Sequence, residues 1–280
     1  MDLIKLKASN QDSGRTLFKY LLKILNNVPV SRVEKLFRNK DIKVNDVRVS
    51  DKKYIVKAKD IIHVYGIEDS SRRIRIPSDL TINFKVIYED INILIIEKGI
   101  GTEIHGPFNS LDNQVINYLN HKFKDSFTPS HMSRLDKATS GLIVYAKNYS
   151  TLRQLKEKNN DFEKTYIFKS DFKGEKTTTF KICHDEENQR EICGDYGKDT
   201  KTHFWFEDGK QYAQIFTGRK HQIRASLSKL GFPIYGDRKY GGKPANRVYL
   251  HSYKIKFKNL SGDLKYLDNS EFYSRATWSK

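Results

Sequence analysis

A polar loop just before a hydrophobic run carries the residues best suited to chemistry. The segment HMSRLDKATSGLIVYAK, residues 131–147, contains Arg134, Asp136, Thr139, Ser140 and Gly141. A carboxylate in such a loop can act as a nucleophile or base when a nearby cation keeps it ionised. Loops held by a rigid sheet are also where proteins commonly present reactive side chains. An aspartate that only shapes a turn is the commoner arrangement, so local physics alone leaves both roles open.

The chain around this loop predicts one α+β domain over residues 81–280, the domain that carries the loop. Its core is a mixed, largely antiparallel β-sheet with flanking helices. Helical spacing of apolar residues occurs at 111–123, 149–158 and 219–230. The segments that read as strands are FKVIYED, NILIIEKG, LIVYAK, KTYIFKSDF and QYAQIFTG. Residues 176–200 are polar, and the sequence gives them no role.

The N-terminal part of the chain has a different pattern. Helices are predicted over 16–25 and 32–39, with Ser31 as the N-cap of the second. Short alternating segments that read as small strands follow, up to Tyr65. On the second helix three basic residues recur every three positions: Arg32, Lys35 and Arg38.

Two helices followed by a small sheet, in SRVEKLFRNKDIKVNDVRVSDKKYIVKAKDIIHVYG, resemble the S-four-type RNA-binding domain. The resemblance implies such a domain over residues 1–70, with its basic second helix on the RNA backbone. A solvated helix face is the ordinary alternative for the same charges. Residues 71–80, with three arginines and Pro77, read as a linker.

The loop RLDKATSG is similar to the signature of the RluA-type pseudouridine synthases, in which the aspartate is essential. Further matching segments occur in the family's order: IEKGIGTEIHG, EKTYIF, TGRKHQIRASLSKLGFPIYGDRKYG and VYLHSYKIKF. With the N-terminal module, the layout resembles the RluC and RluD branch, which modifies large-subunit ribosomal RNA. The chain departs from the common pattern at Ser133, Lys220 and Ser226, which puts the target nucleotide in doubt more than the activity.

The resemblance implies a role for each matching side chain. Asp136 is the expected catalytic carboxylate, with Arg224 as its ion-pair partner and Tyr166 as the aromatic platform and phenol for the uracil. Arg134 is expected to fill the space left by a flipped base or to grip a neighbouring phosphate. Leu250 is expected beneath the base, and Arg219, Lys220 and His221 are candidate phosphate contacts.

Composition limits the other possibilities. A net charge of +17 favours a polyanionic partner, expected to be ribosomal RNA. Neither a long apolar run nor a signal core is present, so we expect a cytoplasmic monomer without a membrane partner. Cys183 and His184 lack the further ligands of a zinc site, and no nucleotide-binding loop occurs, so no metal or cofactor is expected. The alternatives are a non-catalytic RNA-binding or ribosome-assembly factor and an RNA N-glycosidase, which would need a second acid.

Overall fold

The computed structural model describes residues 3–25, 28–67, 80–106, 108–121 and 126–278. It divides into two compact units. Unit 1 contains 1–79, 116–129 and 148–150, and unit 2 contains the rest. The linker predicted at 71–80 falls almost wholly on residues 68–79, which lie outside the described residues.

Unit 1 has two helices and a four-stranded antiparallel sheet in the order β1-β4-β2-β3. Its core gathers the apolar faces of both helices and the buried residues of the strands. The elements are β1 (Leu3–Lys7), α1 (Leu17–Ile24), α2 (Val30–Arg38), β2 (Ile42–Val44), β3 (Val47–Arg48) and β4 (Ile61–Tyr65).

The start of α2 differs from the prediction. The N-cap is Pro29 rather than Ser31, and no side chain caps the helix. The ring of proline fixes φ at a value suited to a helix start, here −54°, so the helix begins earlier than a serine cap would place it. Ser31 therefore lies inside the first turn.

Two short segments from later in the chain belong to unit 1 because buried polar contacts hold them there. Asp12 is fully buried and accepts hydrogen bonds from the backbone N–H of Ser126, at 2.9 Å, and from its hydroxyl. The Arg15 guanidinium donates to the Ser126 carbonyl at 3.1 Å and lies 4.2 Å from the ring centre of Tyr149. The N-terminal fold is thus completed by residues distant in sequence.

Unit 2 is built on an eleven-stranded sheet, ordered β11-β10-β12-β13-β9-β14-β8-β6-β5, with β15 beside β14 and β7 beside β8. Strands β8 and β14 run parallel, and the other described pairs run antiparallel. This confirms the predicted α+β class. The strands are β5 (Phe84–Glu89), β6 (Ile93–Lys98), β7 (Ser130–His131), β8 (Ser140–Ala146), β9 (Glu163–Phe168), β10 (Glu175–Asp185), β11 (Arg190–Gly194), β12 (Lys198–Glu207), β13 (Lys210–Ile215), β14 (Leu250–Lys256) and β15 (Glu271–Tyr273).

Three helices accompany these strands: α3 (Leu111–Tyr118), α4 (Tyr149–Glu157) and α5 (Gln222–Lys229). α4 ends one residue earlier than predicted, and α3 and α5 are shorter by several residues because a neighbouring residue enters the left-handed region. Asn120, at φ 45°, follows the end of α3, and His221, at φ 53°, precedes α5. Each conformation interrupts the helical hydrogen-bond pattern. No helix among the described residues is long and apolar enough to cross a membrane.

Candidate active site

The loop that carries Asp136 connects β7 to β8 and is fixed from beneath by a buried lysine. The Lys98 ammonium donates to the carbonyls of Gly99, Thr102 and Lys137, at 2.8, 3.1 and 3.3 Å. Burial lowers the pKa of Lys98 to about 8, although the nearby Asp136 carboxylate opposes that shift. Lys98 therefore ties the carbonyl of Lys137, the residue after Asp136, to the turn after β6. Sequence reasoning missed this role.

Gly141 permits a close approach of two strands directly behind the loop. It has φ +110°, and a Cβ there would lie 2.3 Å from the Ser252 carbonyl oxygen of β14. Only glycine can adopt this conformation without strain and leave room for the neighbouring backbone. The parallel pairing of β8 and β14 thus sets where the loop ends.

A chain of buried and half-buried polar groups holds the first residue of β8. Arg247 donates to the Ser140 hydroxyl at 2.7 Å, and that hydroxyl lies 2.9 Å from Nδ1 of His251. The other ring nitrogen of His251 lies 3.0 Å from the Ser274 carbonyl, and the Ser274 hydroxyl donates to Glu97 at 2.7 Å. Burial lowers the pKa of His251, so its ring is neutral at physiological pH.

Arg224 links Asp136 to a second carboxylate. Its Nη1 donates to Asp136 Oδ2 at 3.2 Å, while Nε and Nη2 donate to the two oxygens of Asp237 at 2.6 and 2.8 Å. Burial opposes the positive charge, but the bonds to Asp237 and Asp136 outweigh it and raise the pKa of Arg224. The Asp237 side chain is 1% exposed, and it holds the guanidinium in a fixed plane.

Asp237 was not among the residues predicted for the site. It lies within the matching segment at 217–241, in the sequence GDRKYG. Tyr240 of the same segment places its ring 5.0 Å from the Arg224 guanidinium carbon. The local sequence gave no sign that these two residues would flank Arg224.

His221 lies beside the same carboxylate. Its Nε2 is 3.7 Å from Asp136 Oδ2, and its Nδ1 is 2.9 Å from the Tyr240 hydroxyl. Burial lowers the pKa of His221, against the opposing effect of Asp136, and Arg224 lowers it further. The ring is therefore neutral at physiological pH and adds no positive charge to the site.

Asp136, Arg224 and His221 lie at the wall of a cavity of about 670 Å³, a volume suited to one nucleotide. Asp136, Tyr166, Arg224 and Leu250 all line it. The Asp136 side chain is 25% exposed, so the carboxylate is accessible from the cavity. Burial and the nearby Asp136 carboxylate raise the pKa of Tyr166 well above its usual range, so Tyr166 is a neutral phenol.

The remaining predicted residues of the site also line the cavity, in different settings. Arg134 is exposed, and Leu250 is buried in the wall. Lys220 pairs with Glu191 at 2.9 Å, and the Arg219 side chain donates to the Asp199 carbonyl at 3.3 Å. Lys164, which was not predicted, is buried in the wall, and burial lowers its pKa to about 8.

The basic residues predicted on α2 lie in unit 1. Arg32, Lys35 and Arg38 are all exposed, while Val33, Leu36 and Phe37 of the same helix are buried. Arg32 donates to the Gly66 carbonyl at 3.1 Å, so part of its hydrogen-bonding capacity is used within the fold.

In unit 2, His184 pairs with Glu191 at 2.9 Å. Among the described residues, the group with metal-ligand spacing is instead His105, Asp112 and His131, which the sequence analysis did not consider.

Comparison with known proteins identifies the family of this chain. Residues 92–229 match the family described as RNA pseudouridylate synthase. An uncharacterized RNA pseudouridine synthase of Mycoplasma capricolum is 33% identical, over 99% of each chain. Ribosomal large subunit pseudouridine synthase C of Pasteurella multocida is 28% identical, over 91% of this chain and 86% of the relative. Ribosomal large subunit pseudouridine synthase D of Borreliella burgdorferi is 29% identical, over 75% of this chain and 71% of the relative.

Solved structures share the fold. Human RNA pseudouridylate synthase domain containing 1 superposes with a TM-score of 0.53 at 20% identity, covering 62% of this chain and 78% of the human one. Human RNA pseudouridylate synthase domain containing 4 superposes with a TM-score of 0.52 at 18% identity, covering 68% of this chain and 88% of the human one. The sequence relatives, together with the shared fold, define an RNA-modifying isomerase. The chain belongs to the RluA-type family of RNA pseudouridine synthases, on the side of its C and D members.

Proposed function

We propose that this protein converts uridine to pseudouridine in large-subunit ribosomal RNA, with Asp136 as the catalytic carboxylate. The observation that carries the proposal is the Asp136–Arg224 pair, 3.2 Å apart in a cavity large enough for one nucleotide. Two relatives named for large-subunit synthases C and D support the choice of RNA.

The reaction breaks the bond between a uracil nitrogen and ribose and joins ribose to a uracil carbon. That carbon loses its proton and the nitrogen gains one, so the product is an isomer of the substrate. No oxidant, reductant or transferred group enters the balance. The chemistry therefore requires a carboxylate, a group that keeps it ionised, and a support for the detached base.

Each requirement has a candidate in the cavity. Arg224 donates to Asp136 and is fixed by Asp237, so the guanidinium can orient the Asp136 carboxylate without moving during the reaction. Tyr166 retains its proton because burial raises its pKa, so the phenol can give a proton and the ring can support uracil.

A uridine in folded RNA is stacked on its neighbours and must leave the stack to reach a cavity of this kind. We propose that Arg134, exposed where it lines the cavity, occupies the vacated space or holds a neighbouring phosphate. Leu250 packs under the flipped base. Arg219, Lys220 and His221 are candidate contacts to phosphate, although His221 also lies close enough to Asp136 to influence it directly.

The N-terminal unit is proposed to be an S-four-type RNA-binding domain, acting through the exposed basic face of α2. A monomer in the cytoplasm is expected to carry out the reaction. The charge of the chain, +17, suits an RNA that offers many phosphates beyond the target nucleotide.

The test is to incubate the protein with an unmodified large-subunit ribosomal RNA transcript. Pseudouridine is then mapped by carbodiimide adducts and primer extension. We expect new stops with the wild-type protein and none with Asp136→Asn. Asp171→Asn is the matched control, since Asp171 pairs with Lys243 at the surface, and it should give the wild-type stops.

Two other results would reject the proposal. Tight RNA binding without stops would indicate a non-catalytic RNA-binding protein. Abasic sites would indicate an N-glycosidase.

A further inference from the structure

Three side chains from separate elements converge in the part of unit 2 that forms the cavity wall. His105 follows β6, Asp112 lies in the first turn of α3, and His131 lies on β7. One ligand atom from each lies within 4.8 Å of the others. His131 Nδ1 is 3.3 Å from Asp112 Oδ1, and His105 Nδ1 contacts the other oxygen of the same carboxylate. His105 and His131 also line the cavity.

The donor types and their spacing suit a divalent transition metal. Imidazole nitrogen with carboxylate oxygen is a common ligand set for zinc and its neighbours. Bond lengths of about 2.0–2.2 Å place neighbouring ligand atoms of a tetrahedral site about 3.3 Å apart. The distance between His131 and Asp112 already has that value. All three ligand atoms lie within 4.8 Å of one another, so the side chains would have to close in to hold one ion.

The surroundings of Asp112 resemble the outer shell of a metal site. The Tyr145 hydroxyl donates to Asp112 Oδ1 at 2.7 Å, and its ring lies 5.8 Å from that of His131. A carboxylate ligand that is itself hydrogen-bonded is typical of protein metal centres.

The competing explanation is that Asp112 simply accepts hydrogen bonds from two imidazoles with no ion present. That explanation accounts for each pair separately. It gives no reason for the His105 and His131 rings, whose centres lie 4.7 Å apart, both to direct Nδ1 at the Asp112 carboxylate. Convergence of three donors on one point is the arrangement expected around a cation.

We propose that His105, Asp112 and His131 form a binding site for one divalent transition-metal ion of the zinc type. Three protein ligands leave a further coordination position, which water or a phosphate oxygen of bound RNA can take. The site shares no residue with the Asp136–Arg224 pair, and isomerisation as proposed above does not pass through it.

The test uses the full chain, purified and stripped of metal with a chelator, with Zn²⁺ and Co²⁺ as probes. Titration calorimetry should show one Zn²⁺ per chain. Co²⁺ should give the visible absorption of a four-coordinate ion with nitrogen and oxygen ligands. Both measurements are made without RNA, so their outcome does not depend on the proposed enzymatic function.

The variants are His105→Gln and Asp112→Asn. The His105 side chain is 61% exposed, so its replacement should leave the fold intact. Each variant should weaken Zn²⁺ binding at least about tenfold, the loss that even outer-shell changes produce. The matched control is His184→Gln, which removes another histidine paired with a carboxylate, and it should bind Zn²⁺ as the wild type does.

Absence of stoichiometric Zn²⁺ binding would overturn the proposal. So would binding that survives in both His105→Gln and Asp112→Asn, or that falls equally in His184→Gln.

Discussion

Replacing Asp237 with asparagine tests how Asp136, the proposed catalytic carboxylate, acquires a fixed partner in Arg224. The side chains of Asp237 and Arg224 are 1% and 7% exposed, so their pair is shielded from solvent. Asparagine has nearly the same shape but can accept only one of the two hydrogen bonds from Arg224. Its amide N–H group would face an N–H of the guanidinium.

The structure sets the size of the expected effect. A hydrogen bond to a charged group contributes about 1.5–3 kcal/mol, and complete loss of one partner of a buried pair costs about 3–5 kcal/mol. Asp136 still neutralises Arg224 at 3.2 Å in this variant. We therefore expect the free energy of unfolding to fall by about 2–3 kcal/mol, which lowers the melting temperature by roughly 5–10 °C.

Activity should fall by more than stability alone explains. With Asp237→Asn the guanidinium can move, and a displacement of about 1 Å near the reacting atoms can cost about a hundredfold in rate. We expect kcat to fall about 10–100-fold with little change in KM, since the residue does not bind RNA directly. The assay is steady-state kinetics well below the melting temperature of the variant.

The control for this prediction is Asp171→Asn, which changes a carboxylate that pairs with Lys243 at the surface. It should leave both kcat and the melting temperature unchanged. Wild-type kcat in Asp237→Asn would show that Arg224 does not depend on Asp237 for its position. A rise in KM with unchanged kcat would assign Asp237 to binding instead.

Three further predictions follow from other side chains. Tyr166→Phe should lower kcat by roughly a hundredfold. Because the pKa of Tyr166 is raised, ionisation of this phenol should cause no loss of wild-type activity up to about pH 10. For Lys98, the folded pKa of about 8 lies below the ordinary 10.5, so the unfolded chain binds more protons between these values. The stability of wild type relative to Lys98→Met should therefore rise with pH across that window, by on the order of 3 kcal/mol, in denaturant titrations. The double change Lys35→Gln and Arg38→Gln should reduce the slope of log affinity against log salt by roughly one unit for each phosphate that is no longer neutralised, with kcat unchanged.

Each of these has a result that contradicts it. Full activity in Tyr166→Phe would exclude proton transfer by the phenol. A stability difference that stays constant from pH 8 to 10.5 would mean that Lys98 does not titrate with a lowered pKa. An unchanged salt slope would remove the basic face of α2 from the RNA interface.

The residues proposed to react lie in recognisable motifs, whereas the residues that support them do not. Asp136, Tyr166 and Arg224 stand in motifs, and all three line one cavity. Asp237 is one of 34 acidic residues, and nothing local marks it as the partner of Arg224. The support for Ser140 joins four separate segments through Arg247, His251, Ser274 and Glu97. Such contacts are set by sheet topology, which one sequence does not reveal.

The strands, too, were predicted well only where the local hydrophobic pattern is strong. Strands with long apolar runs, such as β6 and β8, were readily predicted because most of their side chains are buried. No role was predicted for residues 176–200, which lie largely in β10, β11 and β12. In β10 exposed positions outnumber buried ones, so its hydrophobic pattern is too weak to mark a strand.

The most direct test of the account follows hydrogen loss at the uracil carbon that becomes bonded to ribose. Ribosomal RNA labelled with tritium at that carbon should release tritium to water with the wild-type protein. Asp136→Asn should release none while binding the RNA with wild-type affinity. Tritium release by Asp136→Asn at the wild-type rate would contradict the assignment of Asp136 as the catalytic carboxylate.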